Sequence, residues 1–83
     1  DNQVVAAEAI DLLINIGYDQ VLKSRFNFEF NPAETTGESF IQDVSDRSFK
    51  GDKERVARQI LYDFRTGNMG KIPLELPPFL GNR

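Results

Sequence analysis

The 83-residue chain contains no cysteine and no histidine. Without thiols, neither a disulfide framework nor a zinc–thiolate centre can form. Without imidazole, the commonest general base and the commonest metal ligand are both missing. No run is long and apolar enough to span a bilayer, and nothing reads as a signal peptide. The first residue is Asp1, not methionine, so the sequence is expected to be a piece of a longer protein. Its length suits one domain with a modest core. Seven phenylalanines in so short a chain imply that a few large side chains fill most of it.

The best-delimited stretch is residues 51–67. Asp52 is a good N-cap, because its carboxylate can accept from the free N–H groups of a first turn. Gly67 can adopt the left-handed conformation that closes a helix. Between them Val56, Ala57, Ile60, Leu61 and Phe64 form one apolar stripe at helical period. Arg55, Arg58, Tyr62 and Arg65 fall on the other side. One face is suited to a core, and the other carries three guanidinium groups around an aromatic ring.

The net charge of −3 conceals an asymmetry. Residues 1–46 hold nine acidic and two basic residues, whereas residues 47–71 hold seven basic and three acidic ones. The acidic total argues against a non-specific nucleic-acid binder, but a local basic face is the usual footprint of phosphate contact. The plainer alternative is a charged face that only solvates its helix.

In chain order, residues 2–16 read as a first helix. Asp1 or Asn2 caps it, and Val5, Ala9, Leu12, Leu13 and Ile16 supply its apolar face. Gly17 stops it. Residues 18–26 read as a second, short helix, so that 1–26 makes a helical hairpin with antiparallel or steeply crossed members. Glu8, Asp11 and Asp19 are assigned to its wet side. Residues 27–36 form a linker in which Phe28 and Phe30 anchor on the core, with a turn at Asn31-Pro32. A third helix begins near Thr35, whose spacing to Glu38 fits a capping box, and buries Phe40, Ile41 and Val44. Residues 37–67 are then a helix pair, readable as a nucleic-acid helix-turn-helix or as bundle neighbours. Spacing alone favours the bundle. Residues 68–83 hold too many breakers for a helix and are expected to be an extended tail laying Ile72, Leu74 and Leu76 on the bundle. The expected fold is all-α, a small bundle of about four helices with an extended C-terminal tail.

No catalytic constellation emerges. Gly67-Asn68-Met69-Gly70-Lys71 superficially looks like a phosphate-binding loop, but two residues separate its glycines instead of four, and Ile72 follows the lysine. It also leaves a helix, so the dipole would present its negative end to a phosphate. Asp43 and Asp46 are three apart with no further ligand nearby, and Ser39, Ser45 and Ser48 have no recognisable base. The residues themselves point to a non-enzymatic domain.

One further pattern is more specific. The segment Asp52-x-x-Arg55-x-Ala57-x-x-x-Leu61-x-Asp63-Phe64-Arg65-x-Gly67-x-x-Gly70-x-x-x-Leu74-Glu75 resembles the C-terminal signature of the circularly permuted ribosome-assembly GTPases. These comprise the bacterial RbgA type and its mitochondrial counterparts. The likeness is close over about residues 49–76 and loose over 1–48. Met69 stands where that family usually has leucine, and Lys50-Gly51 replaces the paired glycines of bacterial members. The second departure, with the long loop at residues 31–37, leans toward a mitochondrial member.

The resemblance implies a helical C-terminal domain that helps dock its GTPase on large-subunit ribosomal RNA or a pre-ribosomal particle. It implies no cofactor in these residues, with GTP and Mg2+ held by a GTPase domain lying outside them. It also implies a mitochondrial matrix or, alternatively, bacterial cytoplasmic setting. Carried over by position, Asp52 caps the helix, Ala57, Leu61 and Phe64 are core, and Gly67 and Gly70 shape the exit turn. The candidate RNA-contacting residues are Lys50, Lys53, Arg55, Arg58, Tyr62, Arg65 and Lys71. Arginine suits bidentate phosphate contact, and Tyr62 can stack on an exposed base. The competing expectation is a protein-interaction module that contacts a ribosomal protein or its own GTPase domain.

Overall fold

In the computed structural model, which describes residues 1–70, the chain forms four α-helices and, among those residues, no strand. They are α1 (Asn2–Asn15), α2 (Asp19–Phe26), α3 (Gly37–Ser48) and α4 (Lys53–Thr66). A short 3-10 turn, Pro32–Glu34, lies in the linker. The expected all-α bundle is what forms. The tail expected to follow lies, from residue 71 onward, outside the described residues.

Local sequence explains most boundaries. Asp1 caps α1, its Oδ1 accepting from Gln3 N at 2.8 Å. Asp52 caps α4 in the same way, accepting from Arg55 N at 3.0 Å, and Gly67 closes that helix at φ 78°. At α3 the capping box sits one residue later than expected. Thr36 Oγ1 accepts from Ser39 N, and Ser39 Oγ accepts from Thr36 N, both at 3.0 Å. Thr35 instead donates to the Asn31 carbonyl at 2.8 Å, closing the linker turn. Of the two adjacent threonines, Thr36 caps with Ser39 as its partner, while Thr35 is taken up by the turn at Asn31.

The core is drawn from every element. Ala6, Ile10 and Leu13 of α1 meet Leu22 of α2, Phe40, Ile41 and Val44 of α3, and Val56, Ala57, Ile60 and Leu61 of α4. Phe28 and Met69 complete it, with Phe30 and Phe64 partly buried against it. Phe64, expected in the core, is therefore at its margin. Phe40 is the hub of an aromatic cluster, with the rings of Phe26, Phe28 and Phe30 edge-on to it at 5.4–5.7 Å. This edge-to-face geometry sets the positive ring edge against a negative ring face. The linker phenylalanines do anchor on the core as expected.

On α1 the buried face differs from the expected one. Ala6, Ala9, Ile10 and Leu13 are buried, Val5 and Leu12 are half-buried, and Ile16 is 40% exposed. This helix is apolar on nearly every side, so periodicity alone does not choose the inward one. Its broad contacts are with α3 and α4. α2 is not laid along α1, so the hairpin of residues 1–26 is not a side-by-side pair.

The α1–α3 crossing is unusually close. A Cβ at Gly37 would overlap the Ala7 carbonyl, so only glycine fits. Gly37 N also donates to Asp11 Oδ1 at 2.6 Å, so a side chain of α1 satisfies a free N–H at the start of α3. Asp11 is exposed as expected, yet it has this structural task.

Candidate nucleic-acid interface

Helical geometry places Arg55, Arg58, Tyr62 and Arg65 at i, i+3, i+7 and i+10, on one side of α4. The structure brings all four to the rim of a single depression of about 430 Å³, lined also by Asn2, Gln59 and Leu61. Asn2 reaches it because the start of α1 lies beside the start of α4. Tyr62 is 53% exposed, a large ring open to solvent among cations. The same helix presents its opposite stripe, Val56, Ala57, Ile60 and Leu61, to the core. Burial on one face thus fixes the direction of the other.

Neighbours hold the cationic side chains in place. The Arg55 guanidinium lies 5.5 Å from the centroid of Phe49, within cation–π range. Arg58 Nη1 is 3.3 Å from Glu54 Oε2, and Asn2 Nδ2 donates to the same oxygen at 2.9 Å. The Asn2 bond is the main reason that the Glu54 carboxyl lies below its ordinary value, with Gln3 and the Arg58 charge adding to it. Such an exposed pair contributes little to stability. Its effect here is to tie α1 to α4 at the rim and to restrain Arg58.

Joined to the depression through Gln59 is a group that charge patterning does not reveal. Asp63 is fully buried. Its Oδ1 accepts from Arg25 Nη2 at 3.0 Å, Gln59 Nε2 at 2.9 Å and Asn68 Nδ2 at 3.1 Å. Its Oδ2 sits 2.8 Å from Arg25 Nε as an ion-pair contact, without the alignment of a hydrogen bond. A buried carboxylate is tolerable only with such compensation. The network fastens α2 to α4 and to the turn after it, and it holds Gln59 at the rim.

The remaining candidates are dispersed. Lys53, although exposed on α4, lines a different depression with Asp1, Val4, Glu8, Glu38 and Ile41, between α1 and α3. It is two residues from Arg55, and residues at i and i+2 do not share a helix face. Lys50 is exposed in the α3–α4 turn at φ 55° and does not line the arginine depression. Lys71 lies outside the described residues. Sequence reading missed Asn2, Glu54, Gln59 and Asp63. The spacings of four between Glu54 and Arg58 and between Gln59 and Asp63 were the signals available for them.

Among the described residues there is no group of three or more potential ligands that could hold a metal ion, and no helix is long and apolar enough to cross a membrane. The depression offers cationic donors, one exposed ring and two amides, a set that can pair with anionic groups and stack on a planar ring. No family model matches the chain, and no match was found among curated proteins or solved structures.

Proposed function

We propose that this is a non-catalytic docking domain that binds large-subunit ribosomal RNA through the outer face of α4. In this reading it is the helical C-terminal domain of a circularly permuted ribosome-assembly GTPase. The observation that carries the RNA-binding part is the convergence of Arg55, Arg58 and Arg65 around the exposed ring of Tyr62. The ribosomal part rests on the sequence resemblance over residues 49–76. Guanidinium groups pair with phosphate oxygens, and an exposed ring among them stacks on a splayed base. The acidic excess of residues 1–46 supports the same reading, because it repels a phosphate backbone and leaves one side for docking. The parent's GTP and Mg2+ belong to a GTPase domain outside these residues, in the mitochondrial matrix or the bacterial cytoplasm.

The test is binding of the domain to large-subunit rRNA fragments at two salt concentrations, beside the Arg58→Glu/Arg65→Glu double variant. The expected result is salt-sensitive binding that weakens about tenfold or more in the variant, with an unchanged circular dichroism spectrum and a shallower salt slope. Loss of helicity in the variant would make the arginines structural and remove the argument. A second reading, a protein-interaction module, draws on the depression between α1 and α3, where Val4 is 55% exposed within an acidic surround. An apolar interface there predicts partner binding nearly indifferent to salt.

A further inference from the structure

The direction of two amides gives the α4 depression a polarity that its charges alone do not. Gln59 Nε2 donates to Asp63, and Asn2 Nδ2 donates to Glu54, each at 2.9 Å. A carboxylate only accepts, so the orientation of both amides is set by chemistry. Their carbonyl oxygens remain as acceptors, and neither takes a hydrogen bond from any other described residue. The arginines on the rim are donors with no acceptor capacity. The residues lining the depression therefore supply guanidinium groups for phosphate, a ring for stacking, and two amide oxygens whose chemistry lets them accept only from N–H or O–H groups.

We infer that the depression receives one unpaired nucleotide, and that Gln59 and Asn2 favour a base carrying an exocyclic amino group over uracil. This rests on the RNA-binding reading above and adds a choice of base to it. Adenine and cytosine each present an amino group that such a carbonyl accepts. Uracil instead presents two carbonyl oxygens that repel it, with a single N–H between them. A paired base has already committed its amino group and lies stacked within its duplex, so the site takes a looped or single-stranded nucleotide. A depression of about 430 Å³ falls within the range of small-ligand sites, about 300–1,000 Å³. Asp63 acts through Gln59 as a positioning residue, since its buried carboxylate keeps the amide from turning over.

Fluorescence anisotropy with end-labelled RNA hexamers tests this, using oligo(A), oligo(C), oligo(U) and a duplex of equal charge at low salt. The expected order is oligo(A) and oligo(C) ahead of oligo(U) by about fivefold, with the duplex weaker than either. Tyr62→Ala should weaken the oligo(A) complex about tenfold and Tyr62→Phe should restore it, since stacking needs only the ring. Gln59→Met should erase the base preference by bringing oligo(A) and oligo(C) down toward oligo(U). Asn2→Ala, a surface change, should reduce the preference in part and covers the case in which Gln59→Met fails to fold. Equal binding of all three hexamers, or a preference that survives both amide variants, overturns the inference while leaving electrostatic RNA binding intact. Failure of every RNA to bind overturns both.

Discussion

α1 and α4 are the same length and lie against each other, yet they are specified in opposite ways. α4 alternates charge and apolarity sharply, so its inner stripe and outer arginine face are both written in its own residues. α1 carries only two charged side chains, Glu8 and Asp11, and is apolar almost all round. Its orientation comes from its neighbours: the backbone contact at Gly37, the Asp11 bond to α3 and the Asn2 bond to α4. A helix with a strong pattern carries its own instructions, whereas one with a weak pattern is placed by tertiary contacts.

The largest expected effect tests the α1 side of this contrast. Ile10→Ala should destabilise the domain by about 3 kcal/mol in urea unfolding, because Ile10 is fully buried. Ile16→Ala should change stability by less than about 0.5 kcal/mol, although periodicity assigns Ile16 to the core. Equal losses would mean that α1 has a wider inner face than the structure gives it. On α4, Asp63→Ala should cost about 2 kcal/mol, by releasing three hydrogen bonds from a buried acceptor. The partly exposed Arg25 retains access to water, which keeps that loss below the full cost of an orphaned buried charge. A neutral result would show that α4 owes its position to its apolar stripe alone.

The smallest effect concerns the link between the two helices. The Glu54 carboxyl is lower in the folded chain than its ordinary value of 4.5, so its contribution to stability is present above that value. It is lost as pH falls through the lowered folded value. Glu54→Gln should therefore be slightly less stable than the parent at neutral pH, and the difference should vanish in acid. Thermal melts of both proteins from pH 7 down to pH 3 check this. A gap that stays constant across that range would assign the effect to packing instead of charge.

The same contrast explains what the sequence made legible. The caps of α4, its stripe, and the shared face of Arg55, Arg58, Tyr62 and Arg65 follow from spacing within one helix. The burial of Asp63 depends on Arg25, 38 residues away, and nothing local to α4 announces such a partner. Asn2 joins the depression only because α1 and α4 begin side by side. Lys53 stands apart from the arginines, since the angular rule that groups them places it on another side of α4.

The contact at Gly37 bears on how the molecule breathes. With the first turn of α3 against the backbone of α1 at Ala7, and a side-chain bond from Asp11 across the same point, neither helix can fray there without disturbing the other. In hydrogen exchange the amides around Ala7 and those of the α3 first turn should open together, as one cooperative unit. Asn2, at the start of α1, lines the depression and bonds Glu54 of α4. A single glycine at the start of α3 would thus help set how often the depression that Asn2 lines comes loose.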